Sequence, residues 1–221
     1  MLRHVTYVRK EDELIAKQIA GYLGVKESLS DSKVSPGKLV IGPNWLHQLA
    51  GHLTDRTVPI VVFDRHTDMY CTAGLPETED SANWIYFALK AGRGIHLALT
   101  SAPHSYKSSS RLPRNCNLTV YSPRGASEIK LNQEAKNGCP EINPVGKIVK
   151  PIGDLSKLKS IRKQISFDED FFDKEWKASE LEALLAPIVN KGDTIDFWIE
   201  EIYYTRPQTI AAGLEVACSI L

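Results

Sequence analysis

The sequence predicts an α/β domain of three layers, α/β/α, built on a mostly parallel sheet. Three observations carry that prediction. Strand-like and helix-like segments alternate along nearly the whole chain, as repeated β-α-β units do. The strand-like runs, Ile60-Val61-Val62-Phe63 among them, are close to continuously apolar, which suits strands covered on both faces. Two such runs end abruptly in acidic side chains, and the carboxyl ends of parallel strands are where these sheets place their ligand sites.

Taken in order, residues 5–8 read as the first strand and 11–22 as a helix, since Leu14, Ile15, Ile19 and Leu23 recur at helical spacing and form one apolar face. A strand at 38–41, a helix at 44–53 and a strand at 58–63 follow. The alternation continues with a helix at 82–90, strands at 95–99 and 118–121, a short strand at 147–149 and another at 161–167. A helix at 179–189, a strand at 194–199 and a helix from Pro207 onward close the chain. Two segments break the rhythm. Residues 101–114 are basic, serine-rich and punctuated by proline, so they read as a loop, either an exposed connector or a lid that binds anions. Residues 132–144 are turn-rich and carry no assigned chemistry.

A length of 221 residues is enough for one large core and short for two, so residues 1–221 are read as a single domain. The 27 basic residues balance 27 acidic ones, which leaves no global field to gather nucleic acid or an anionic membrane. Cys71, Cys116, Cys139 and Cys218 show neither C-x-x-C spacing nor a disulfide framework and read as reduced thiols. The first residues lack the apolar core of a signal peptide, and no stretch reaches the roughly 18 apolar residues of a membrane span. The expectation is a cytoplasmic protein without a membrane or nucleic-acid partner.

The chemistry concentrates at two strand ends. Val61-Val62-Phe63 runs into Asp64-Arg65-His66-Thr67-Asp68, and Ile165-Ser166-Phe167 runs into Asp168-Glu169-Asp170. Carboxylates and neutral imidazole bind borderline divalent cations without a costly deprotonation. If the two strands are parallel neighbours, Asp64, His66, Asp68, Asp168 and Asp170 converge on one or two ions. The plainer alternatives are a helix-capping turn for the first motif and a solvated acidic loop through Glu169 and Asp173 for the second. Four carboxylates in one place repel unless a cation sits among them, so the two motifs support each other when metal is bound. An oxygen-rich set with one imidazole suits manganese, with zinc and iron left open.

This pair resembles the metal signature of the arginase, agmatinase and histone-deacetylase superfamily, D-x-H-x-D after one strand and S-F-D-x-D after another. The stretch 192–201, ending in Glu200 and Glu201, is similar to that family's late strand with its substrate-facing glutamate, and Thr209-Ile210-Ala211-Ala212 fits its closing helix. Departures are equally specific. Where arginases carry a G-G-D-H turn with a metal-binding histidine, this chain reads Leu39-Val40-Ile41-Gly42-Pro43-Asn44-Trp45, and an indole has no lone pair for a metal. Where they carry N-x-x-H-G with a shuttle histidine, it reads Asp80-Ser81-Ala82-Asn83-Trp84-Ile85. The deacetylases' G-G-G-Y tail and histidine pair are also absent. The chain therefore resembles a short, compact arginase-like branch.

The resemblance implies that Asp64 and Asp168 lie near two metal positions, one served by His66 and Asp170 and the other by Asp68. The first would be complete and the second would lack its histidine, binding more weakly. It further implies a metal-dependent hydrolase of a carbon-nitrogen bond, of amidino, amide or imino type, that is not a true arginase. Asp68, Asp170 and Glu200 are its catalytic candidates; Glu201, Asn44 and Trp84 are its substrate-binding candidates. Each has a bland counterpart: Glu200 and Glu201 as strand-end surface carboxylates, Asn44 as a cap of the helix after Pro43, Trp84 and Trp45 as core residues. His47 and His96 read as structural. A metal-dependent phosphoesterase using the basic 107–114 loop, and a catalytically degenerate binding protein that keeps one metal, stand as alternatives. The expected partner is a small-molecule substrate, with a homo-oligomer left open.

Overall fold

A computed structural model of the chain describes residues 4–7, 13, 17, 20, 26–29, 39–64, 66, 68–69, 78–99, 111–113, 116–122, 130–134, 140–144, 149–168, 171, 177–199 and 219. The strands are β1 (His4–Tyr7), β2 (Lys26–Leu29), β3 (Leu39–Pro43), β4 (Ile60–Asp64), β5 (Ile95–Leu99), β6 (Arg111–Leu112), β7 (Leu118–Ser122), β8 (Lys130–Glu134), β9 (Pro140–Pro144), β10 (Val149–Pro151), β11 (Gln164–Asp168) and β12 (Thr194–Ile199). Nine of them form one sheet in the order β10-β7-β5-β4-β11-β12-β3-β1-β2, with every pairing parallel. From β4 the chain builds outward through β5, β7 and β10, then returns to lay β11 and β12 between β4 and β3. That return brings the two acidic strand ends together at one edge.

Alternation along the strands gives the sheet two unlike faces. On one face the rings of Phe63, Phe167 and Phe197 stack across adjacent strands, with centroids 4.8 and 4.7 Å apart, and Phe171 packs edge-on against the first two. The opposite face carries Val40, Ile60, Val62, Leu97 and Val120 in a single core with Ala50, Leu53, Trp84, Ile85 and Leu89. The helices that cover this face are a 3₁₀ helix, Asn44–His52, and an α-helix, Trp84–Lys90. The 3₁₀ repeat of three residues per turn eclipses positions i and i+3, so His47 and Ala50 line one edge and are both buried. The sequence predicted a helix at this place; its tighter winding is what stacks His47 directly over the sheet.

Several expectations need adjusting. β2, Lys-Glu-Ser-Leu, lies at the sheet's outer edge and has no apolar run to announce it. The turn-rich stretch 132–144 holds β8 and β9, an antiparallel pair that forms a small separate sheet with β6. The helix expected at 11–22 and the one after Pro207 lie largely outside the described residues; Glu13, Lys17, Ala20 and Ser219 are helical. Among the described residues no helix is long and apolar enough to cross a membrane.

Polar groups fasten the amino-terminal edge. Lys163 and Asp193 form a buried ion pair at 2.8 Å, and Asp193 also accepts backbone N–H bonds from Lys163 and Asn190. On β5, His96 meets the Tyr121 hydroxyl at 3.2 Å. Burial, followed by the charge of Lys150, lowers the His96 pKa to about 4. The unfolded chain therefore binds this proton more readily than the native one, and stability present above pH 6.5 drains away as pH falls toward 4. Because the ring is only partly buried, screening trims the loss to about 1–2 kcal/mol. Urea melts at pH 7.5 and 4.5 should show a smaller pH effect in His96→Gln than in the parent.

Candidate metal centre

Asp64 and Asp168 are the last residues of β4 and β11, and these strands are parallel neighbours, so both carboxylates stand at the same sheet edge. Asp68, four residues beyond Asp64, joins them. Its φ of +44° lies in the left-handed region, which aspartate tolerates better than most residues. Two contacts hold it there: the Ile85 N–H donates to its carbonyl at 3.1 Å, and the Trp84 indole N–H donates to its Oδ2 at 2.7 Å. The fourth member comes from the 3₁₀ helix above. His47 Nδ1 lies 2.9 Å from Asp168 Oδ2 and 3.3 Å from Asp68 Oδ2.

Ligand-capable atoms of His47, Asp64, Asp68 and Asp168 all fall within 4.8 Å of one another. None of the four residues is more than 8% exposed. Their electrostatics suit the binding of a cation. Burial raises the Asp68 pKa to about 6, with repulsion from Asp168 adding to it and His47, Trp84 and Asp64 opposing it. Burial alone would depress His47, yet the hydrogen bond to Asp168 and the charges of Asp168, Asp68 and Asp196 carry its pKa above 6.5. Three carboxylates and one imidazole, buried and converging, are a donor set that holds a divalent ion of manganese, zinc or iron type.

The other predicted site residues fall as follows. His66 stands beside the cluster: its backbone N–H donates to Asp64 Oδ1 at 2.6 Å, while its half-exposed ring has Nδ1 3.8 Å from the same oxygen. Trp84, expected on a substrate wall, is fully buried and supports Asp68. Asp170, Glu200 and Glu201 lie outside the described residues, as does the side chain of Asn44, whose backbone begins the 3₁₀ helix. His47 is the residue that sequence reasoning assigned to structure. His47 lies two positions after Trp45 and joins the cluster, and the usable signal was that it is the first histidine after the end of β3.

Polar side chains extend from the cluster across the covered face. His47 Nε2 meets Ser166 Oγ at 3.2 Å, and Ser166 donates to Asp196 Oδ1 at 2.5 Å. Asp196 is fully buried; burial raises its pKa, against hydrogen bonds from Ser166, Trp198 and Gln164 and the charge of His47. Trp198 needs Gly42 opposite it, because a Cβ there would lie 2.4 Å from the indole ring. Gly42→Ala should displace Trp198 and cost about 2–3 kcal/mol, read as a lowered denaturation midpoint with an unchanged slope.

A parallel sheet with acidic strand ends under a histidine-bearing helix is an arginase-like architecture. No family model matches the chain, and no curated protein matches it by sequence. By fold it is similar to the agmatine ureohydrolase of Thermoplasma volcanium, at 12% identity and a TM-score of 0.53, over 99% of this chain and 89% of that one. The likeness is one of fold, and the fold is that of the ureohydrolases.

Proposed function

We propose that this protein is a metal-dependent hydrolase of a carbon-nitrogen bond in an amidino, amide or imino group. The observation that carries the reading is the buried convergence of His47, Asp64, Asp68 and Asp168 at the carboxyl edge of an arginase-like sheet. These four residues hold one divalent ion, with manganese the preferred metal. His66, half-exposed beside Asp64, would serve a second position, together with Asp170 of the second motif. A divalent ion held by these residues would supply a lowered pKa to water and polarisation of the heteroatom next to the substrate carbon.

The chain's own residues supply the rest. Asp68 or Asp170 accepts the proton released on attack, and Trp84 keeps Asp68 aimed by its indole N–H. Glu200 or Glu201, following β12, pairs with a cationic substrate group, bidentately if that group is a guanidinium. The fold neighbour is an agmatine ureohydrolase, so guanidino amines head the substrate panel. Metal analysis of purified protein, combined with hydrolysis assays on guanidines, acetylated amines and phosphoesters, tests the reading. Carbon-nitrogen cleavage that requires metal supports it, whereas activity confined to phosphoesters replaces it. The near-complete burial of the four ligands favours one other reading, a metal that stabilises a non-catalytic fold. A tightly bound ion with no turnover of any panel member would select that alternative.

A further inference from the structure

The metal cluster stands at the carboxyl edge of the sheet; a second concave site lies toward the amino edge, where the 3₁₀ helix Asn44–His52 and the α-helix Trp84–Lys90 both finish. It is an open pocket of about 280 Å³, near the lower end of the range that small-molecule sites occupy, about 300–1,000 Å³. Its wall carries three cations, Arg56, Lys90 and Arg93, and one carboxylate, Glu79. That carboxylate is already engaged, since both of its oxygens lie 3.1 Å from His52 Nε2. Among the described residues no carboxylate pairs with Arg56 or Lys90, and the Lys90 ammonium lies 5.8 Å from the centre of the Tyr86 ring. Arg93 is the anchored member. Of the five N–H groups on its guanidinium, four are used by the Val58 and Gly51 carbonyls, Thr54 Oγ1 and Gln164 Oε1, which leaves one on Nη1. After burial and the opposing charges of Asp196 and Asp55, repulsion from Arg56 also acts on this guanidinium, so the two cations sense each other.

With His52 counted as neutral, three cations against one carboxylate leave a wall charge of +2. Like charges gathered in a concavity focus their field and repel one another, and a bound anion relieves that repulsion. A phosphate monoester carries about −1.5 to −2 at neutral pH and three acceptor oxygens, so it balances the wall and offers each cation a partner. Phe87 and Ala88 line the same pocket and present apolar surface to the organic part of such a molecule. We propose that this pocket is a binding site for a small phosphate monoester, separate from the metal centre: Arg56 and Lys90 hold the phosphate oxygens, Arg93 donates its remaining N–H, and Phe87 carries the organic group. The site requires no metal and does not depend on the reaction assigned to the carboxyl edge.

Amide chemical-shift titrations of the full-length protein by nuclear magnetic resonance test it, with the protein dialysed free of metal so that no bound ion competes for phosphate. The probes are phenyl phosphate, inorganic phosphate and benzoate, the last carrying the ring with a single charge. Phenyl phosphate should saturate one site, moving the amides of Arg56, Lys90 and Ala91 together, and should bind more tightly than either of the other two. Arg56→Gln and Lys90→Gln, both at exposed positions, should each weaken it about tenfold, the loss of one charge-assisted contact. Ala91→Glu, which sets a carboxylate on an exposed part of the wall, should reduce binding below detection. Added salt should weaken binding to the parent. An unchanged urea midpoint shows that each variant folds, and a variant that fails this leaves the other two to decide. The proposal is overturned if phenyl phosphate produces no saturable shift at these amides, or if the folded variants bind it as the parent does. Benzoate binding as tightly as phenyl phosphate would overturn the assignment to a phosphate. Shifts confined to the carboxyl ends of β4 and β11 would place the anion at the other edge of the sheet and overturn it as well.

Discussion

Asp68→Asn is expected to make the metal-free protein more stable while weakening metal binding by more than about a hundredfold, since it removes an inner ligand where even outer-shell changes cost 10–100-fold. The two effects have one cause. Folding raises the Asp68 pKa from 3.8 to about 6, first by burial and then by the charge of Asp168. For an acid shifted upward the sign is unfavourable: the native state is penalised wherever the unfolded carboxylate is ionised and the native one resists ionising. The penalty is absent below pH 3.8, grows through the window and is complete above about 6. At neutral pH it is on the order of 2–3 kcal/mol in the metal-free protein. Asparagine keeps an acceptor for the Trp84 N–H and carries no charge, so it relieves that penalty. Chemical denaturation at pH 7.5 in the presence of a chelator measures the gain, and titration with manganese measures the loss. A destabilised metal-free variant would mean that Asp68 is held there by favourable pairing alone, without the crowding that a cation relieves.

Arg93→Ala is expected to be the most damaging single change away from the centre. The guanidinium is buried at 1% exposure, donating to the carbonyls of Val58 at 3.0 Å and Gly51 at 2.7 Å and to Gln164 Oε1 at 3.1 Å, with a further bond to Thr54 Oγ1. Burial lowers its pKa to about 10, so it stays charged at neutral pH. It ties the end of the 3₁₀ helix to the segment before β4 and to the first residue of β11, and Gln164 hands the connection on to Asp196. Truncation leaves the Gly51 and Val58 carbonyls without this donor, at about 1–3 kcal/mol each. The void adds to that, for a total of about 4 kcal/mol. Lysine keeps the charge but not the fork of donors, so Arg93→Lys should recover about half. Equilibrium unfolding checks both. A loss under about 1 kcal/mol for the alanine variant would show that water replaces the guanidinium at little cost.

The parts of this molecule that were legible in sequence are those where a local pattern equals a local structure. β5 and β12 are largely apolar runs, broken only by His96 in the first and by Thr194 and Asp196 in the second, and their bounds were read without error. The three aspartates of the cluster were legible because short spacing after a strand end is itself geometry: two strands that end together place Asp64 and Asp168 together. His47 was not legible in this way. It is brought to the centre by a helix packed over β3, β12 and β11, and its motif neighbour Trp45 suggested a vacancy instead. The 3₁₀ winding that aims it has no sequence signature separable from that of an α-helix. The polar side chains behind it did leave a mark, since Gln164, Ser166 and Asp196 are polar residues in otherwise apolar buried strands. β2 and the β8–β9 pair went unread for the opposite reason: their sequences carry no apolar run or alternation to announce a strand.

If His47 completes a metal position with Asp64, Asp68 and Asp168, manganese titration of the parent beside His47→Ala will show it. One tight equivalent in the parent, lost or weakened more than about a hundredfold in His47→Ala, is the predicted result, with a matching loss of the metal-induced rise in melting temperature. Equal affinity in the two proteins would contradict it and return His47 to the role of a packed core histidine.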